Sequence, residues 1–259
     1  MPRKYTQKQD KNVGLKSESK GIKKEAKAEE RSKALEDAVL ASKDSTHYVL
    51  ILDDSGSMCG KPWNDLKAAA DQFLRTLSNS REAATSKVSC VIYNDQSRIV
   101  FQNEVPSLSL QAKIQYKGGM TEYAPALRHA RTICQNCSDQ FSKIVFYFMS
   151  DGQPHDSNTY GNVVDSLKTD PFFNKIQFYA CGFGHSSFSE LEKLAKMFPK
   201  GQMKQAPTVE ELKQSMLFIL RADNSGPKKN TRKAQKTLKP LWNREKLQIG
   251  DHFSSISYL

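Results

Sequence analysis

The chain has 259 residues, 38% of them hydrophobic, and a formal net charge of +11. That length holds one medium domain with tails or two small ones, and the apolar share suffices for one core. No apolar stretch approaches the length of a membrane span, and no charged start leads into an apolar run, so neither a span nor a signal peptide is visible and an intracellular, soluble chain is expected.

The charge is unevenly spread. Residues 1–45 carry 12 Lys/Arg against 8 Asp/Glu, and residues 221–259 carry 9 against 3, which leaves 18 against 17 for the middle. A near-neutral body with basic ends reads as a folded domain with solvated arms that seek an acidic surface. The five cysteines, Cys59, Cys90, Cys134, Cys137 and Cys181, are odd in number and irregular in spacing, a poor disulfide framework. The expectation is a reduced, cytoplasmic protein.

In chain order, residues 1–45 form a Lys-rich arm, disordered at first and helix-prone over 22–42, where Glu, Lys and Ala dominate. The domain is expected over 46–220. Tyr48 to Leu52 is an unbroken apolar run, which reads as a strand buried on both faces of a parallel sheet. Pro62 suits the first turn of a helix, and Trp63, Leu66, Ala70, Phe73, Leu74 and Leu77 recur at helical spacing. Val88–Tyr93 and Ile99–Phe101, joined by a tight polar link over Asn94–Ser97, predict a hairpin and therefore one antiparallel strand. An amphipathic piece over 110–116 leads to Gly118-Gly119 and a helix over 124–136. Strands over 144–149 and 176–181, helices over 160–167, 188–197 and 209–220, and an edge strand over 202–205 complete the domain. This alternation predicts a doubly wound, mostly parallel α/β sheet flanked by helices, whose ligands bind outside the carboxyl ends of the strands.

That rule gathers three loops at one end. The first, Asp53-Asp54-Ser55-Gly56-Ser57, offers Asp53, Ser55 and Ser57 at a spacing of two. The second, Gly118-Gly119-Met120-Thr121, offers Thr121. The third, Ser150-Asp151-Gly152, offers Asp151. Two carboxylates and three hydroxyls suit Mg²⁺, with Mn²⁺ the alternative ion, and no His or Cys cluster accompanies them as zinc would require. A dication held by only two charged ligands stays electron-poor and accepts a further carboxylate from outside.

This pattern, D-x-S-x-S after a buried strand, Thr after Gly-Gly and S-D-G after a later strand, resembles the von Willebrand factor type A domain over about residues 46–220. The resemblance implies that Asp53, Ser55, Ser57, Thr121 and Asp151 form a metal ion-dependent adhesion site. The serines and the threonine would contact the metal, the aspartates would often act through water, and a partner's Glu or Asp would complete the shell. Met120, standing between the glycines and Thr121, departs from the family's pattern. D-D-S-G-S-M-C-G-K-P-W is similar to intracellular members of the family. Met58, Glu122, Tyr123 and His155 are the candidate rim residues for a partner.

Other chemistries fit less well. A haloacid dehalogenase-type phosphatase would use Asp53 as nucleophile, with Asp151 and Asp156 on Mg²⁺, but Ser55 stands where its general acid belongs. Neither serine lies in G-x-S-x-G, and Gly182-x-Gly184 lacks the third glycine of a dinucleotide fingerprint. Cys134 and Cys137 form a lone C-x-x-C that reads as helix packing. The expected function is therefore a non-catalytic adaptor or assembly subunit. Beyond Gly226, a basic run and scattered apolar residues, with Trp242 and Phe253 as anchors, suggest a tail that docks on an acidic protein surface such as a microtubule-like cytoskeletal lattice. RNA or other nucleic acid is the alternative partner, weakened by the sparse aromatic interleaving.

Overall fold

A computed structural model describes residues 45–223. Six strands form one sheet: β1 (Thr46–Asp53), β2 (Ser86–Tyr93), β3 (Ser97–Glu104), β4 (Lys143–Ser150), β5 (Ile176–Phe183) and β6 (Gln202–Ala206). Their order is β3-β2-β1-β4-β5-β6. All neighbours are parallel except β2 and β3, the expected hairpin. Five α-helices cover the sheet: α1 (Lys61–Ser78), α2 (Tyr123–Cys137), α3 (Tyr160–Lys168), α4 (Ser189–Lys196) and α5 (Val209–Asp223). The mostly parallel, doubly wound sheet expected from the sequence is what the structure shows.

Alternation along β1 divides the core. Val49 and Ile51 face the layer of α2, α3 and α4, while Tyr48, Leu50 and Leu52 face α1 and α5. β1 lies mid-sheet with every residue buried. An aromatic file fills the first layer, with Phe178 stacked on Phe198 at 4.2 Å between ring centroids. Each fully buried side chain of this size contributes roughly 1.5–3 kcal/mol, so the apolar runs that define the strands also supply the stability. Cys134 and Cys137 pack in the same layer, as helix packing predicts.

Helix ends follow local chemistry. α1 carries Pro62 in its first turn after Gly60, whose φ is 78°. Thr208 and Glu211 form a capping box on α5: the Thr208 backbone N–H donates to the Glu211 carboxylate (3.0 Å), and the Glu211 N–H donates to Thr208 Oγ1 (3.3 Å). The amphipathic piece expected over 110–116 is a 3₁₀ helix, Leu108–Lys113. Its chain then runs irregularly to Glu122, anchored where Tyr116 packs on Trp63 of α1. Among the described residues no helix is long and apolar enough to cross a membrane.

The strand order sets the site. β1 and β4 are neighbours, yet the chain leaves β1 towards β2 on one side and β4 towards β5 on the other. At such a switch point the loops splay apart and leave a crevice at the strand ends. Asp53 ends β1, and Asp151 follows the last residue of β4.

Candidate metal centre

Asp53 is wholly buried. Its Oδ1 accepts the Ser55 backbone N–H (2.8 Å), and its Oδ2 accepts the Ser150 hydroxyl (2.8 Å). The chain then enters a short 3₁₀ turn, Gly56–Met58. Ser55 Oγ lies 3.1 Å from Ser57 Oγ, and Ser57 Oγ donates to Asp151 Oδ1 at 2.9 Å. Four of the five residues singled out by the sequence are thus joined by short polar contacts.

Thr121, the fifth, is 6% exposed, and hydrogen bonds tie its backbone to His155 on the third loop. Its carbonyl accepts the His155 N–H (2.8 Å), and one residue-pair earlier the Gly119 carbonyl accepts the Gly56 N–H (2.8 Å). The middle loop is therefore tied to both of its neighbours. Gly119 has φ 142°, and a Cβ there would collide with Asp95 Oδ1, so the turn requires glycine.

The electrostatics favour a cation. Desolvation raises the Asp53 carboxyl to about 7, against the pull of its hydrogen bonds, and the nearby Asp151 adds repulsion. Burial raises Asp151 also, with Ser57 opposing. Among the described residues no Lys or Arg pairs with either aspartate. Nor do three or more His, Cys, Asp or Glu side chains converge there as a metal-binding group. A cation at this point would rest on two carboxylates and on hydroxyls, a hard-oxygen set that fits Mg²⁺ better than a soft metal.

Sequence reasoning missed the frame around these residues. Asp54, also wholly buried, points away from Asp53. It accepts hydrogen bonds from Arg98 Nη2 (2.8 Å), Asn94 Nδ2 (3.1 Å) and the Lys117 N–H (3.0 Å), so it ties the first loop to β3 and to the middle loop. Ser150, which aims Asp53, was legible only as part of S-D-G. Asp156 accepts the N–H groups of Tyr123 (2.9 Å) and Ala124 (2.7 Å) and so caps α2 across the site.

Two rim expectations are corrected. Met58 is fully buried in the α1 layer, because the 3₁₀ turn that exposes Ser57 swings the next side chain inward. Tyr123 is also fully buried: as the first residue of α2 it packs on Tyr93, Phe148 and Tyr160, and its hydroxyl donates to the Gly152 carbonyl (3.0 Å). Neither offers surface to a partner. Glu122 is half-buried and His155 exposed, so both keep surface at the crevice. His155 also accepts the Thr121 N–H on Nδ1 (3.4 Å). Trp242 and Phe253 lie outside the described residues.

The sequence model of the von Willebrand factor type A domain matches residues 49–216. The chain belongs to this family. Solved structures agree with the fold of this von Willebrand type A domain. A von Willebrand factor type A protein from Catenulispora acidiphila is 16% identical, with a TM-score of 0.58 over 69% of this chain and 42% of that one. The open conformation of the pilus adhesin SpaC from Lactobacillus rhamnosus GG is 11% identical, with a TM-score of 0.59 over 69% of this chain and 30% of that one. Proximal thread matrix protein 1 of the mussel byssus, in a structure with a zinc-occupied metal ion-dependent adhesion motif, is 15% identical, with a TM-score of 0.56 over 69% of this chain and 45% of that one. The chain thus spans less than half the length of these three proteins. Curated protein sequences yielded no match.

Proposed function

We propose that this von Willebrand type A domain is a non-catalytic protein-interaction module. Asp53, Ser55, Ser57, Thr121 and Asp151 would hold Mg²⁺ at the switch point between β1 and β4, and a Glu or Asp of a protein partner would complete the shell. One observation carries this reading: the Ser55–Ser57–Asp151 contacts lie beside a buried Asp53 that lacks any cationic partner among the described residues. The ion supplies positive charge open to an incoming carboxylate. The chain's own residues fix its ligands in advance, Ser150 and the Ser55 N–H by orienting Asp53 and Ser57 by orienting Asp151.

The placement of Asp156 supports the non-catalytic reading. Both of its carboxylate oxygens accept backbone N–H groups of α2, so it is engaged as a cap where a dehalogenase-type phosphatase would use it on metal. The proposal includes a cytoplasmic setting, in which the five free cysteines would stay reduced. It also includes basic ends that seek an acidic protein surface, such as a cytoskeletal lattice.

Titration calorimetry with Mg²⁺ on the wild-type chain, Asp151→Ala and Asp53→Ala tests the site. The wild type should bind and both variants should lose binding while unfolding cooperatively. Equal binding by all three would remove the proposal.

A further inference from the structure

Among the described residues three large apolar side chains are markedly exposed: Val105 (58%), Leu108 (40%) and Met120 (53%). Scattered apolar residues are ordinary on a protein surface. Val105 directly follows β3 and Leu108 opens the 3₁₀ helix Leu108–Lys113, so neither adjoins a candidate metal residue in the chain. Met120 is different, because it stands directly between Gly119 and the metal-loop residue Thr121.

Its exposure is built in. The Gly118 N–H donates to the Asp54 carbonyl (3.1 Å), and the Gly118 carbonyl accepts Asn94 Nδ2 (2.7 Å). The Gly119 carbonyl accepts the Gly56 N–H, and the Met120 N–H donates to Asp95 Oδ1 (3.3 Å). The Thr121 backbone bonds to His155 at both its N–H and its carbonyl, and the Glu122 N–H donates to the Asn94 carbonyl (2.9 Å). Glycines at φ 82° and 142° fix the turn just before Met120. Turning the side chain inward would break several of these bonds, so the loop holds a long apolar side chain out in water.

Consecutive Cα atoms lie about 3.8 Å apart. A residue that flanks a carboxylate bound beside Thr121 is therefore within reach of the exposed Met120 side chain. An unbranched thioether adapts to many apolar shapes. We infer that Met120 is a specificity-determining contact: it covers an apolar residue next to the Asp or Glu that the partner presents. The partner's recognition element is thus an acidic residue with an apolar neighbour. This inference rests on the metal-site reading above and adds to it the chemistry of the partner.

Covering half of a methionine side chain favours the apolar-flanked ligand by about fivefold to tenfold. The test uses the full chain with Mg²⁺ and two sets of synthetic peptides. In one set a central Asp or Glu is flanked by Leu or Phe, and in the other by Ser or Asn. The wild type should bind the apolar-flanked set about fivefold to tenfold more tightly, and Met120→Ser should reduce that preference below about twofold, with Mg²⁺ affinity and melting temperature unchanged. Chelator-sensitive binding with no apolar preference, or with a preference that survives in Met120→Ser, overturns the Met120 inference and leaves the metal site standing. Binding that persists with chelator and in Asp151→Ala overturns the metal-site reading and this inference with it. Failure of both peptide sets to bind the wild type overturns the inference while calorimetry still reads the metal.

Discussion

His47 should make the domain acid-labile. It lies fully buried on β1, its ring 4.7 Å from that of Phe141. Ser89 Oγ, which accepts the Asn103 N–H (2.9 Å), lies 2.8 Å from His47 Nε2. Nδ1 faces Cys137 Sγ at 3.5 Å, so neither ring nitrogen meets a carboxylate among these contacts. This arrangement suits a neutral imidazole, and burial lowers the pKa from 6.5 to about 4. Between those values the unfolded chain binds a proton that the folded chain refuses. Stability from this group is therefore complete above about pH 6.5 and is lost as the pH falls towards 4, by about 3 kcal/mol in all and roughly 2 kcal/mol by pH 4.5. Asp53, raised by burial to about 7, works in the opposite direction across the whole of that range. The assay must therefore be a difference. Urea unfolding at pH 7 and 4.5 should show the wild type losing roughly 2 kcal/mol more than His47→Gln, whose side chain does not titrate. Equal losses in the two proteins would refute the reasoning, whatever the absolute stability of either.

Three further substitutions probe the frame of the site. Asp156→Ala strips the cap from two N–H groups of α2 and should cost about 1–2 kcal/mol in urea unfolding, with Mg²⁺ titration little changed. Arg98→Ala leaves the buried Asp54 carboxylate without its cation and should cost about 3 kcal/mol; a loss below about 0.5 kcal/mol would show that the pair is solvated. Gly119→Ala forces a side chain into a left-handed conformation against Asp95 and Asn94, and should weaken Mg²⁺ binding at least about tenfold by calorimetry while the far-ultraviolet spectrum stays native.

The elements were legible because this sheet is buried on both faces. Runs such as Tyr48–Leu52 and Ile144–Met149 have no polar side to confuse them, and a parallel alternation admits few topologies. The same logic placed Asp53, Ser55, Ser57 and Asp151 together, since they sit at the ends of adjacent strands. What failed was side-chain direction inside the loops. A 3₁₀ turn rotates each residue by about a third of a circle, so Ser57 and Met58 face opposite ways although they adjoin in sequence. Tyr123 looked like a loop residue but opens a helix against the sheet. Asp156 was illegible as a cap because it lies more than thirty residues after the helix start it serves, a pairing that only the folded chain creates. The D-x-S-x-S spacing singles out Asp53, but nothing in it marks the partners that Asp54 meets, Arg98, Asn94 and the Lys117 N–H. The strand's alternation assigns one to the crevice and the other to the frame.

That division of labour between two adjacent aspartates bears on what an ion could mean for this domain. Arg98, Asn94 and the Lys117 N–H already meet the charge on Asp54, and backbone bonds already lace the three loops. The architecture is self-supporting, so a cation would arrive as a passenger and not as a keystone. Small zinc modules fold only around their metal. Here a chelator should silence recognition and leave the melting temperature almost where it was, so that the domain can be emptied and refilled without passing through an unfolded chain.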